Sequence, residues 1–67
     1  MSTKQKEGYF TAEGIDIQER IDNGKTKFFV NINDAEKYSI ERRSYRYEVF
    51  NNSTKFNRTL VGYGVQN

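Results

Sequence analysis

The chain has 67 residues, a formal net charge of +2 at pH 7, and neither cysteine nor histidine. A chain of this length forms one small domain with a marginal core. The lack of cysteine excludes a disulfide framework and thiolate chemistry, and the small net charge does not by itself indicate binding to phosphate backbones. We predict a flexible N-terminal tail over residues 1–7 and a single domain over residues 8–67.

The composition favours a sheet over a helical bundle. Isoleucine, valine, phenylalanine, tyrosine and threonine are all well represented, whereas there is one methionine and one leucine. Branched and aromatic side chains suit the half-buried surface of a pleated strand. We therefore predict the α+β class, with a small antiparallel sheet of about four strands in ββαββ order and one short helix.

The segment around Asn23 and Gly24 predicts a β-hairpin. Apolar residues alternate with polar ones on both sides of this dipeptide. Asn-Gly between two alternating runs is typical of a type I′ turn, in which both central residues have positive φ. We expect residues 15–21 to pair with residues 26–32, so that the apolar side chains meet on one face.

The same register predicts a polar outer face for the hairpin. It sets Arg20 directly opposite Lys27, with Phe29 beside them in water. Two cations facing each other repel unless an anion lies between them. Arg20, Lys27 and Phe29 are therefore candidate residues for contact with a macromolecule.

The next segment predicts a short helix over residues 34–42. Asn33 followed by Glu36 matches a capping box at its start. A strand is the competing interpretation because Tyr38 and Ile40 alternate with polar residues. These two alternatives stay open from the sequence.

Two further strands are predicted over residues 44–50 and 58–65, joined by a loop rich in turn residues. Their register depends on the loop and is not determined. A stretch from Gly8 to Ala12 is expected either to lengthen the first strand or to pair at an edge. Gly62 and Gly64 in the last strand indicate a bulge or a close approach by another backbone.

The residue types present argue against enzymatic chemistry. Histidine and cysteine are the usual general base and nucleophile at neutral pH and the usual transition-metal ligands, and the chain has neither. A pair of carboxylates performs acid–base catalysis only in a cleft that raises one pKa, and so small a chain has little room for one. We expect no catalytic residues, no metal and no cofactor.

An Arg/Tyr-rich stretch is the main candidate binding surface. Its members lie close together in the chain, and they are Arg42, Arg43, Tyr45, Arg46 and Tyr47. Arginine and tyrosine are enriched at protein–protein hot spots, and the same pair binds single-stranded nucleic acid through stacking and phosphate contacts. The structural alternative is that the tyrosines pack in the core and the arginines form a solvated face.

The distribution of charge favours a protein partner over a nucleic acid. Glu36, Glu41 and Glu48 are interleaved with the arginines, and they would repel a continuous phosphate backbone while suiting a mixed-charge protein surface. We expect a protein partner first, with nucleic acid as the alternative and homodimerisation open. Small chains without catalytic residues are frequent among phage and mobile-element accessory proteins, so an inhibitor of that type is expected. The polar start and the lack of a long apolar run predict a cytoplasmic protein without membrane contact.

Overall fold

A computed structural model describes residues 7–54, 56 and 58–67. In this part of the chain the elements are strands β1 (Glu7–Phe10), β2 (Thr26–Phe29), β3 (Arg46–Asn52) and β4 (Leu60–Gln66), with helices α1 (Gln18–Asp22) and α2 (Ile32–Arg42). The strands form one antiparallel sheet in the order β1-β3-β4-β2. The predicted small α+β class with a four-stranded antiparallel sheet is confirmed. Apart from Glu7, the predicted tail lies outside the described residues.

The predicted hairpin is wrong, because the chain before Asn23 forms helix α1 and β2 pairs with β4 instead. Gly24 has a φ of 81°, but the φ of Asn23 is −93°, so the two positive values of a type I′ turn are not present. Instead, the Lys25 amide donates to the Arg20 carbonyl at 2.9 Å and the Gly24 amide donates to that of Ile21 at 3.2 Å. Asn-Gly here closes a helix in the manner of a Schellman motif.

Local hydrogen bonds support the helix that precedes Asn23. Asp16 Oδ1 accepts from the Gln18 amide at 2.9 Å and starts the helix. The Gln18 side chain then donates to Asp22 Oδ1, four residues on, at 3.0 Å. The first bond satisfies one free backbone donor at the start of the helix, and the second links two side chains one turn apart. With this segment helical, β2 lacks the neighbouring strand that the hairpin needs.

Helix α2 confirms the prediction for residues 34–42 and rejects the strand alternative. It starts two residues earlier than predicted, and its cap is Asn31 rather than Asn33. Asn31 Oδ1 accepts from the Asn33 amide at 2.7 Å, which satisfies one of the free donors of the first turn. Ala35 and Ser39 lie on the buried side of the helix.

The C-terminal strands confirm the prediction of two paired strands at this end of the chain. Val49 pairs with Gly62 and Phe50 with Leu60, so Val61 is the extra residue of a β-bulge. The predicted close approach at Gly62 is also present, because a Cβ there would overlap the Phe29 carbonyl oxygen. The early stretch pairs at an edge, as β1 against β3.

The pairing register assigns the side chains of the three strands β2, β3 and β4 to two faces. One face, which we call the inner face, carries Thr26, Phe28, Tyr47, Val49, Gly62 and Gly64. The other, the helix face, carries Lys27, Phe29, Arg46, Glu48, Tyr63 and Val65.

The sheet curls towards its inner face and is covered by α2 on its helix face. Tyr9 on β1 and Phe28 on β2 come from opposite edges, yet their ring centroids lie 4.8 Å apart. On the helix face, the rings of Phe29 and Tyr38 lie 5.2 Å apart and join α2 to β2. Val65, beneath this layer, is fully buried. No helix within the described residues is long and apolar enough to cross a membrane.

Candidate functional site

The candidate site is the corner at which α2 ends and β3 begins. Arg43 follows the last residue of α2 with a φ of 54°, in the left-handed region. The Ser44 amide donates to the Ser39 carbonyl at 3.0 Å and the Arg43 amide to that of Ile40 at 3.2 Å. These two bonds fix a Schellman-type helix end, so the chain reverses sharply and exposes the residues of the turn.

Two exposed apolar side chains stand at this corner. Tyr45 is 91% exposed and Ile40, on the last turn of α2, is 69% exposed. We call the surface formed by Ile40, Arg42, Arg43, Tyr45 and Arg46 the Arg–Tyr corner.

The three arginines of the corner differ in their surroundings. The Arg42 guanidinium lies 5.2 Å from the centroid of the Tyr38 ring, a cation–π arrangement within the helix. Neither Arg42 nor Arg43 forms an ion pair with a carboxylate among the described residues. Their charges therefore stay available to a partner.

Arg46 is held more firmly than its two neighbours. Its Nη1 donates to Glu36 Oε2 at 3.3 Å, and its guanidinium lies 5.8 Å from the centroid of the Tyr63 ring. A half-exposed ion pair of this kind contributes little stability. It does fix the side chain over the helix face at the rim of the corner.

Tyr47, the remaining residue of the Arg/Tyr stretch, lies on the opposite side of the sheet. Its ring is half-buried on the inner face, and its hydroxyl donates to Thr26 Oγ1 at 3.1 Å. This is the packing role that the structural alternative describes for a tyrosine. We therefore leave Tyr47 out of the corner.

The three outer-face residues of the predicted hairpin are not brought together as expected. Arg20 is exposed on α1, whereas Lys27 is exposed on β2, and the pairing that would set them opposite each other does not exist. Phe29 is half-buried against Tyr38 rather than standing in water. The charge clash predicted for this face is therefore absent.

Sequence reasoning missed a groove between β2 and α2. It has a volume of about 340 Å³ and is lined by Phe29, Asp34, Lys37, Tyr38 and Glu41. The four helical residues follow the spacing i, i+3, i+4, i+7 and so share one helix face. That spacing was visible in the sequence, but the neighbouring Phe29 depends on the position of β2.

The described residues expose seven large apolar side chains and bury five. Six hydrophobic residues form the core, and they are Phe10, Ile17, Ala35, Val49, Phe50 and Val65. Seven large ones are exposed, and they are Ile15, Val30, Ile32, Ile40, Tyr45, Phe56 and Leu60. Exposed apolar surface that forms a patch marks a site of interaction.

No three carboxylates converge among the described residues. Comparison with known proteins finds no matching family model, no similar curated protein and no similar solved structure. The functional inference therefore rests on the geometry of this chain alone.

Proposed function

We propose that this chain is a non-enzymatic protein-binding module that contacts its partner through the Arg–Tyr corner. The observation that carries the proposal is the 91% exposure of Tyr45 among exposed arginines. A tyrosine offers a large, rigid contact area with one polar end, and arginine adds directed hydrogen bonds, which is the composition of interface hot spots.

Electrostatics support a protein partner over nucleic acid. One of the three arginines at the corner is already paired, since Arg46 binds Glu36. The exposed Ile40 offers an apolar contact surface. A charged phosphate backbone has no apolar group to pack against it. A partner with an apolar pocket and acidic residues at its rim fits this surface. Such a module acts by occupying a surface of its partner, which is how a protein inhibitor acts.

A capture experiment with matched variants tests the proposal. The immobilised protein is incubated with a lysate of its source cells, with and without nuclease treatment, and the retained proteins are quantified by mass spectrometry. Tyr45→Ala with Arg43→Ala removes two exposed side chains of the corner. Lys25→Ala, at an exposed residue in the turn after α1, is the control for lost charge.

We expect a nuclease-resistant partner that the wild type and Lys25→Ala retain and that the corner variant loses at least about tenfold. The proposal fails if the retained species disappear after nuclease treatment. It also fails if all partners bind the corner variant as well as the wild type.

A further inference from the structure

The outer edge of β2 carries free backbone groups. The Asn67 amide donates to the Lys25 carbonyl at 2.9 Å. Hydrogen-bonded pairs alternate with non-bonded pairs along an antiparallel ladder. The backbone groups of Lys27 and Phe29 therefore bond to β4, whereas the N–H and C=O of Phe28 point away from the sheet. No hydrogen bond from outside the sheet reaches these two groups among the described residues. Val30, two residues after Phe28 and just past the end of β2, is 77% exposed.

The groove between β2 and α2 runs beside this free edge. Phe29 and Tyr38 form its aromatic part, and Asp34 and Glu41 add two carboxylates. The cations beside them are the ammonium of Lys37 and the Arg42 guanidinium over the Tyr38 ring. No described side chain forms an ion pair or a hydrogen bond with either carboxylate. Aromatic rings with unpaired carboxylates suit a cationic side chain.

Lys27 adds a positive charge to the same edge, opposite in sign to the carboxylates of the groove. It is exposed on the helix face of β2, two residues from Phe29, and forms no ion pair among the described residues. A segment lying along β2 therefore meets a site for a cation at Phe29 and a site for an anion at Lys27.

We propose that β2 binds an extended segment of a partner protein as an added antiparallel strand, and that this segment carries Lys or Arg two residues before Asp or Glu. The partner residue opposite Phe28 exchanges two backbone hydrogen bonds with it. The residues on either side of that one point to the helix face. Because the two strands are antiparallel, the partner residue before the central one lies opposite Phe29, and the partner residue after it lies opposite Lys27. The cation of the partner must therefore come before its anion in the chain.

This surface adjoins the Arg–Tyr corner, because Arg42 lies over the Tyr38 ring. It contains none of the corner's residues, so the inference does not depend on the proposed function. Two synthetic peptides of equal composition test it, one with the sequence Thr-Val-Lys-Val-Glu-Val-Thr and one with Lys and Glu exchanged. Each is titrated into ¹⁵N-labelled full-length protein. We expect the Lys-Val-Glu peptide to bind at least about tenfold more tightly and to slow hydrogen exchange at the Phe28 amide.

A charge swap makes the test specific to this groove. In Lys27→Glu with Glu41→Lys, both changes fall on exposed residues, and we expect the preference to reverse in favour of the Glu-Val-Lys peptide. Tyr45→Ala is the control and should leave the affinities of both peptides unchanged, even if the corner does not bind a partner.

Several results would overturn the inference. They are equal affinities for the two peptides, binding of neither peptide, no protection of the Phe28 amide, or an unchanged preference in the charge-swapped variant. Protection of the Phe28 amide that rises with protein concentration without peptide would also overturn it, because the occupant would then be a second copy of the chain.

Discussion

The ring of Tyr47 on β3 lies directly over Gly64 on β4, where a Cβ atom would stand 2.8 Å from the Tyr47 Cζ. Gly62, two residues earlier, leaves room for Phe28 in the same way. A Cβ atom at Gly62 would lie 2.5 Å from the Phe28 ring. The inner face thus holds large aromatic rings because two residues of β4 have no side chain. The rings of Tyr47 and Phe28 thus fill the concave side of the sheet, which buries few aliphatic residues.

The two glycines differ in what a methyl group would meet, so alanine should cost different amounts. At Gly62 the methyl group overlaps the Phe29 carbonyl oxygen, and backbone does not move aside. At Gly64 the methyl group meets the outer end of the Tyr47 ring. This ring can rotate away, but its hydroxyl then loses the hydrogen bond to Thr26. We expect Gly62→Ala to lower the free energy of unfolding by about 3 kcal/mol and Gly64→Ala by about 1 to 2 kcal/mol.

Urea denaturation of both variants measures this difference. Gly24→Ala is the control, because no atom lies within 4 Å of a Cβ there and only its φ of 81° opposes alanine. Its expected cost is about 1 kcal/mol. Equal costs at Gly62 and Gly64 would show that the close approach of the Phe29 carbonyl is not the cause.

Arg43 holds a left-handed conformation that favours glycine. We therefore expect Arg43→Gly to raise the free energy of unfolding by up to about 1 kcal/mol while it weakens binding of the corner's partner. Thermal unfolding and an affinity measurement on the same sample give both quantities. Arg43→Ala removes the same side chain without relieving the backbone. A stabilised Arg43→Gly variant with unchanged affinity would remove Arg43 from the binding surface.

Asn67 joins three parts of the fold through its side chain. Its Nδ2 donates to the Gly24 carbonyl at 2.6 Å, and its Oδ1 accepts from the Tyr38 hydroxyl. Tyr38→Phe breaks one of these bonds and Asn67→Ala breaks both. We expect losses of about 1 and about 2 kcal/mol in the free energy of unfolding, respectively.

Chemical denaturation compares these variants with Gln66→Ala, an exposed neighbour that should change stability by less than about 0.5 kcal/mol. If Asn67→Ala costs no more than Gln66→Ala, the side chain does not hold α2 against the turn at Gly24.

Salt dependence separates the two partner classes at the Arg–Tyr corner. If the arginines held phosphates, the logarithm of the affinity for single-stranded oligonucleotides would fall with the logarithm of the salt concentration, with a slope of about 0.7 per phosphate. We expect no submicromolar binding to oligonucleotides at about 0.15 M salt. For the captured protein partner, we expect Tyr45→Ala to cost about 1 to 3 kcal/mol, mainly in the dissociation rate. Fluorescence anisotropy and surface plasmon resonance measure the two cases.

Features that depend on nearby residues could be predicted from the sequence. A capping pattern predicts helix α2, although its cap is Asn31 rather than Asn33 and the pattern alone leaves a strand possible. The strand character of the C-terminal segments follows from their branched and aromatic side chains. Four residues of the Arg–Tyr corner belong to the Arg/Tyr stretch of the sequence, because they lie close together around one helix end, whereas Ile40 does not belong to that stretch. Even the glycines of β4 showed in advance that another group comes close.

What the tertiary structure alone decided is which segments become neighbours. Asn23-Gly24 fits both a hairpin turn and a helix end, and local signals do not choose between them. The choice depends on β2 pairing with β4, more than thirty residues further along the chain. The groove beside α2 and the free edge at Phe28 exist only because of that distant pairing, which no short pattern of residues specifies. The pairing brings β4, with the buried Val65, next to β2.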